Sequence, residues 1–224
     1  MSASESSIFE EIILESNDQL RTVNLSGGIV EVNYYEDIFS PTVTAKIRVM
    51  DTGDTISPKD PTDASKVDGP RESIYNGLPL RGGERLRMKI VDQGTTYEGK
   101  EKTGIDFSSD PKKYLFVSSI TQVLQETQRE SFLLNLVSRE AITNETSRVM
   151  KKYSGNISDS VEKILKDVLV IDESRYHIEK TLHGYEFFGN LKKPFAILPA
   201  GVLPAAAKVT LAAWYFNLLT EFKN

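Results

Sequence analysis

The chain has 224 residues, no cysteine and a formal net charge of -5 at pH 7. The lack of cysteine excludes disulfide frameworks, thiolate zinc sites and cysteine nucleophiles, and the acidic balance opposes binding of nucleic acid by the molecule as a whole. Hydrophobic residues make up 39% of the chain and charged residues 26%, a composition typical of soluble globular proteins of one or two domains.

The N-terminal segment Met1–Glu15 is acidic and rich in serine. It lacks the basic and then apolar layout of a secretory signal peptide. No apolar run along the chain reaches the ~20 residues that a membrane-spanning helix needs. We therefore expect a soluble, cytoplasmic protein without a membrane anchor.

The first part of the chain is predicted to be β-structure, because five segments alternate apolar and polar residues with the period of half-buried strands. The segments are Gly28–Tyr35, Pro41–Asp51, Arg85–Val91, Tyr114–Gln122 and Ser131–Ser138. The residues predicted to face the core are Val30, Val32, Tyr34, Val43, Ala45, Ile47, Val49, Leu86, Met88, Ile90, Phe132, Leu134 and Leu136. Short strands without a long helix between them favour an antiparallel barrel or sandwich. We predict an antiparallel β-barrel within Leu20–Ser138, in a first domain that covers residues 1–138.

Two polar segments interrupt these strands. Thr52–Pro79 contains four prolines together with several Asp, Ser and Gly residues, and loops of this length in compact domains are usually functional or disordered. We expect residues 52–79 to form a long loop that is mobile in the free protein, because they bury too little apolar area to offset the entropy cost of ordering. The second polar segment is Asp92–Lys113.

The chain changes character near Ser138, where helical spacing begins. Six apolar residues are spaced as on one face of a helix. They are Ile157, Val161, Ile164, Leu165, Val168 and Leu169. Ser158 is predicted to cap the N-terminus of this helix, and Asp159 complements the positive end of its dipole. Arg139–Val149 is predicted to be a shorter polar helix, and Arg175–Phe188 to be extended.

These patterns predict three parts of the chain. A β-barrel domain over 1–138 is followed by a helix-containing α/β part over 139–198 and by an atypical C-terminal tail over 199–224. The predicted fold class is therefore α+β, and mostly β.

The tripeptide Asp51-Thr52-Gly53 follows an apolar strand, as the catalytic aspartate of retroviral-type aspartic proteases does. In those enzymes two such carboxylates of a dimer share a proton and activate water. Asp54 departs from their pattern, which usually has Ala or Ser after the glycine, and a further carboxylate disturbs a shared proton. For so short a motif we favour the structural interpretation, a strand that ends in a glycine turn.

Two other features of the sequence resemble functional sites. The adjacent glycines of Leu80–Arg85 can present backbone N–H groups to an anion, but a P-loop needs Lys-Ser/Thr and a following helix, so we favour a tight turn into a strand. His177 and His183 are the only histidines, and no Gly-x-Ser-x-Gly elbow accompanies them. We treat both as structural, and we assign no catalytic, cofactor-binding or metal-binding residue and no cofactor.

Four strings of the sequence carry a family resemblance. They are Asn76–Glu84, Glu130–Phe132 leading into Val137–Glu145, Tyr153–Val161, and Asn190–Phe195. In their order and spacing they resemble the central baseplate hub subunits of contractile-tailed (myovirus) phages, which are related to the spike and hub proteins of type VI secretion. The third string resembles the Gly-x-Ile-x-Asp-x-Val element of those proteins. The match extends from about Leu20 to Ile197.

The resemblance implies a structural protein without catalysis. Such hubs form trimers whose barrels line a ring that joins the tail tube to the central spike, and DNA passes through the ring without specific binding. The implied partners are further copies of the chain, the tail tube, and spike or lysozyme-type baseplate proteins. The implied location is the tail baseplate of the virion, assembled in the host cytoplasm. Family members continue into a second barrel, whereas residues 199–224 depart from their pattern, so we expect a truncated or frame-shifted copy.

The edge strands are expected to pair with a neighbouring subunit. The segment Gly28–Tyr35 has one charge, Glu31, and no proline to protect it. Two alternative functions stay open at this point. One is an aspartic-type hydrolase that uses Asp51, and the other is a carbohydrate- or receptor-binding β module with an exposed aromatic groove.

Overall fold

The computed structural model describes residues 7–37, 40, 42–52, 55–56, 71–78, 80–91, 104–126 and 129–198. These residues fall into two compact units, the first drawn from 1–35 and 43–139 and the second from 36–42 and 140–224. The predicted C-terminal tail over 199–224 lies outside the described residues. No helix in the described part of the chain is long and apolar enough to cross a membrane.

The first unit is built on one antiparallel sheet. Its strands are β1 (Ile8–Glu15), β2 (Thr22–Asn24), β3 (Ile29–Tyr35), β4 (Thr44–Asp51), β5 (Arg85–Val91), β6 (Gly104–Asp106), β7 (Leu115–Glu126) and β8 (Arg129–Val137). Their order is β2–β1–β5–β7–β8–β4–β3, and β6 pairs with β5 beside β7. All five predicted strands are present, and β1, β2 and β6 were not predicted.

The sheet is open, so the predicted closed barrel is not found. Its two end strands are β2 and β3, and no ladder joins them among the described residues. The link between them is nevertheless only the four residues Leu25–Gly28, which span at most about 17 Å. The sheet must therefore curve enough to bring the end of β2 close to the start of β3. With three residues, β2 is too short to close the gap along the length of β3.

The core lies on one face of the sheet and follows the predicted alternation. Ala45, Ile47 and Val49 of β4 are buried, as is every second residue of β8 from Glu130 to Leu136. On β5, Leu86 and Met88 are buried and Ile90 is half-buried. Val30 is the exception: it was predicted to face the core but is 57% exposed. A β-bulge between Ile29 and Glu31 shifts the pairing with β4 at this point, and a bulge re-aims the side chain that it contains.

Both described ends of the predicted loop 52–79 pack into this core. Ile56 pairs with Glu72 as an isolated bridge, and a short helix α1 (Ile74–Gly77) follows. Gly77 packs so closely that a Cβ there would lie 2.9 Å from the Cβ of Ile56. The predicted mobility concerns mainly residues 57–70, which lie outside the described residues.

The second unit is small and mixed. Its elements are α2 (Arg139–Thr146), β9 (Lys152–Tyr153), α3 (Ile157–Lys163), a π-helical turn (Ile164–Val168), a 3-10 turn (Glu173–Arg175), β10 (Phe187–Phe188) and α4 (Pro194–Ile197). β9 and β10 form an antiparallel pair, in which the rings of Tyr153 and Phe187 stack with centroids 5.1 Å apart.

The predicted apolar stripe forms the core of the second unit. Five of its six residues are buried and Val168 is half-buried. The predicted cap is wrong, because Asn156 occupies the N-cap position and Ser158 is the second residue of α3. The amide of Ser158 donates to the hydroxyl of Thr181 at 3.1 Å, and the amide of Thr181 donates to the Ser158 hydroxyl at 3.3 Å. A distant threonine therefore supplies the cap and fixes the extended segment to the helix.

The apolar stripe generates a first prediction. Ile164 is fully buried at its centre, so Ile164→Asp places an unpaired carboxylate among apolar side chains and should destabilise the second unit by about 3–5 kcal/mol. Urea unfolding followed by circular dichroism measures the change. The matched control is Lys163→Asp on the exposed side of the same helix. Equal stability of Ile164→Asp and the parent protein would contradict the buried stripe.

The end of the π-helical turn generates a second prediction. Val170 adopts a φ of +55°, where a β-branched side chain is strained, and it is 66% exposed. Val170→Asn should therefore raise the free energy of unfolding by up to about 1 kcal/mol, since asparagine tolerates this conformation. The control is Val168→Asn, which removes half-buried apolar surface and should destabilise. If Val170→Asn lowered the free energy of unfolding as much as Val168→Asn does, the inferred backbone strain at Val170 would be wrong.

Candidate functional site

Asp51 lies at the end of β4, directly opposite Glu130 of β8. Both carboxylates are almost fully buried, with 5% and 4% of the residue exposed. The amide of Ile74 donates to Asp51 Oδ2 at 2.8 Å, and the amide of Tyr75 donates to Glu130 Oε1 at 2.8 Å. Two neighbouring strands thus hold the first turn of α1 by its backbone.

Each of these carboxylates has a further donor on its other oxygen. The hydroxyl of Thr55 donates to Asp51 Oδ1, and the side-chain amide of Gln125 donates to Glu130 Oε2 at 3.3 Å. The N-terminus of a helix leaves amide groups without intrahelical partners, and a nearby carboxylate satisfies them. This arrangement explains the buried Asp51 by backbone capping, whereas an aspartic dyad needs two carboxylates that share a proton and face a water.

The backbone amides of the glycine pair, which could present N–H groups to an anion, are bonded to acceptors of the chain itself. Glu84 is fully buried, and its carboxylate accepts the amide of Arg81 at 2.6 Å and the amide of Gly82 at 3.0 Å. Gly82 and Gly83 have φ values of +94° and +90°, which only glycine adopts readily. The turn is therefore a tight turn into β5, held by an internal carboxylate.

The two histidines are exposed and lie in the second unit. Within the described part of the chain, no group of three or more His, Asp or Glu side chains is placed to hold a metal ion. The pairing of Asp51 with Glu130 could not be predicted from the sequence, because nothing in either local sequence indicates that the two strands are neighbours.

The remaining candidate is the open edge of β3, which has β4 on one side and no second strand neighbour in the part of the chain that the structure describes. Alternate residues of an antiparallel strand turn their backbone groups to opposite sides. The amide of Met50 donates to the carbonyl of Gly28 at 2.8 Å, so even-numbered residues of β4 face β3. Val32 lies opposite Ile47, and its N–H and C=O therefore point away from the sheet.

The side chains along β3 offer little protection against pairing. Val30 and Tyr35 are exposed, and Glu31 makes an ion pair with Arg48 at 3.7 Å. The strand contains no proline and no lysine, which are the residues that commonly block strand addition. The bulge twists only the first part of the strand, so the part from Glu31 to Tyr35 pairs regularly with β4.

The buried carboxylates generate a third prediction. Asp51→Ala and Glu130→Ala should each cost about 1–3 kcal/mol, because each leaves a backbone amide of α1 without its acceptor. The double variant should cost less than the sum, since both carboxylates hold the same turn. Urea unfolding of the four proteins of this cycle gives the coupling. Glu126→Ala, at an exposed ion pair with Arg129, is the control and should change stability by less than about 0.5 kcal/mol; full additivity would refute a shared role.

No protein-family model matches the chain, and no curated protein matches its sequence. Among solved structures, the 43 kDa tail protein of prophage MuSo2 from Shewanella oneidensis has a TM-score of 0.46 and 8% identity, with 86% of this chain and 46% of that chain covered. The E. coli protein c3393, a component of the type VI secretion system described as similar to the T4 tail proteins gp27 and gp5, has a TM-score of 0.35 and 10% identity, with 84% and 38% covered. The chain thus spans less than half the length of either structure.

Proposed function

We propose that the chain is a structural, non-enzymatic subunit of a phage-tail baseplate that assembles with copies of itself into a ring. The observation that carries this proposal is the open edge of β3 (Ile29–Tyr35), which has β4 as its only strand neighbour among the described residues. An edge of this kind leaves a row of N–H and C=O groups that another strand can satisfy.

Strand addition gives such an edge two stabilising contributions. Main-chain hydrogen bonds to the added strand replace those to water, and the alternate side chains become covered. Val30 and Tyr35 are the exposed apolar side chains that would be covered on β3. In a ring, each subunit is expected to have an open sheet edge that a strand of its neighbour completes.

The four strings that resemble hub subunits support the same function. They lie in both units, and each of them contains a residue that holds the fold together. These residues are Glu84 in the glycine turn, Glu130 below α1, Glu140 in an ion pair with Arg175, Ser158 in the Thr181 contact, and Asn190 in a left-handed conformation. The resemblance therefore concerns residues that determine the architecture.

The number of subunits and the neighbours of the ring come from that resemblance. It supplies the number of three subunits, the tail tube on one side of the ring and the spike on the other, and the passage of DNA through the centre. The net charge of -5 agrees with a channel to which DNA does not adhere, because like charges repel.

The fourth prediction tests this proposal by measuring the mass of the protein in solution, with and without one charged substitution. Light scattering over a range of concentrations should show assembly of the parent chain. Val30→Lys should raise the dissociation constant at least about tenfold, since a lysine on an edge opposes pairing.

The matched control for this experiment is Leu182→Lys. It introduces the same charge at a residue of the second unit that is 93% exposed, so it should leave assembly unchanged. A parent chain that stays monomeric at every concentration would defeat the ring. Repetition with a tail tube subunit present tests the proposed neighbour.

A further inference from the structure

A closed ring of more than two copies needs two different surfaces on each copy, because its contacts are head-to-tail. The proposed ring therefore requires a second surface that receives β3 (Ile29–Tyr35). This step rests on the proposed function. The open edges of the sheet in the first unit are the places to search, since a strand is received by another unpaired strand.

The distal half of β7 provides such an edge. β7 pairs with β5 only at Leu115 and Phe116, and the last bonds on that side join Val117 to Gly83 and Glu84 at 2.7 and 2.9 Å. From Ser119 to Glu126 the strand continues with β8 as its only strand neighbour among the described elements. Almost every side chain of this stretch is exposed.

The backbone of this stretch faces outwards at defined residues. Ile120 lies opposite Leu134 of β8, and Leu134 in turn pairs with Ile47 of β4. The amide of Ser138 donates to the carbonyl of Val43 at 3.0 Å, so odd-numbered residues of β4 and even-numbered residues of β8 face each other. The N–H and C=O of Ile120 therefore point away from β8, towards the open side.

The residues of this edge do not oppose pairing. Ser119–Glu126 contains no proline, lysine or arginine, and Glu126 is its only charge. Leu124 is 64% exposed. This edge is long and carries a single charge, and a bulge between Thr121 and Leu124, with Gln122 at a φ of +52°, interrupts its pairing with β8. On either side of the bulge the edge contains no proline or lysine, the residues that commonly block strand addition.

We propose that β3 of one copy adds to Ser119–Glu126 of β7 in the next copy, and that this contact builds the ring. The occupant is a second copy because the same sheet carries both edges, at opposite ends of the strand series β3–β4–β8–β7. Their lengths match, with seven residues in β3 and eight in the free part of β7. The other open strands, β2 and β6, have three residues each and offer too short a ladder.

The chain has no cysteine, so engineered cysteines report this contact without background. Asn33 lies opposite Lys46 and Thr121 lies opposite Leu133, and the alternation of each strand places both residues on the face of the sheet away from the core. The fifth prediction is that a mixture of Asn33→Cys and Thr121→Cys proteins, one carrying a size tag, forms mixed disulfide dimers under mild oxidation. Glu31→Cys and Leu124→Cys provide a second pair one step along the strands.

The expected result is cross-linking of the mixture at least about tenfold faster than that of Leu182→Cys, whose exposed thiol reports random collision. The double variant Asn33→Cys/Thr121→Cys should give a covalent ladder that ends at a closed ring. Rapid cross-linking of Asn33→Cys with itself would instead show a symmetric β3–β3 contact and overturn the proposal.

The two proposals fail in different ways. If light scattering shows assembly but none of the β3 and β7 cysteine pairs cross-links faster than Leu182→Cys, the β3–β7 contact is wrong and the ring-forming function stands. If the chain is monomeric at all concentrations, the β3–β7 contact and the ring-forming function are both wrong.

Discussion

The structure depends on one constraint, which is that backbone N–H and C=O groups removed from water must find partners. Within the sheet, neighbouring strands satisfy them. Where the chain leaves the sheet in the first unit, buried carboxylates accept the hydrogen bonds of backbone N–H groups. Asp51 and Glu130 hold the start of α1, and Glu84 holds the glycine turn before β5. Without these acceptors the connections would bury unpaired backbone amides against the core.

The second unit obeys the same constraint with neutral side chains. The carbonyl oxygen of the Asn144 side chain accepts the amide of Phe195 at 2.8 Å, at the start of α4. Thr181 and Ser158 exchange bonds at the start of α3. In both cases a residue distant in sequence caps the helix, so the capping also fixes the tertiary structure of the unit.

The main strands were predictable because their buried faces depend on local alternation alone. β4 and β8 each have a strand on both sides, and every second residue of each faces the core. β1 was not predicted because Glu10 and Glu11 interrupt its alternation of apolar and polar residues. A bulge between Phe9 and Glu11 separates these carboxylates, and they pair with Lys89 and Arg87 at 2.9 and 3.4 Å. Cationic partners from β5 are not visible in the sequence of β1.

The capping groups could not be predicted for a related reason. Asp51 forms part of a tripeptide that suggests catalysis, and its function depends on Glu130 and on Ile74, which are distant in sequence. Ser158 has the residue type of a cap and a position next to the helix start, yet the side chain that bonds its amide is Thr181. Local sequence indicates that a cap is needed, whereas tertiary structure decides which residue provides it.

The number of strands sets the width of the proposed ring. Each copy contributes β3, β4, β8 and β7 to a continuous sheet, so the three copies that the resemblance implies make twelve strands. Closed sheets of about 8 strands are filled by their own side chains, and those of about 16–18 strands leave an aqueous channel. A twelve-stranded ring lies between these cases and is too narrow for duplex DNA. The passage of DNA that the resemblance implies therefore requires a ring wider than three copies of β3, β4, β8 and β7 form.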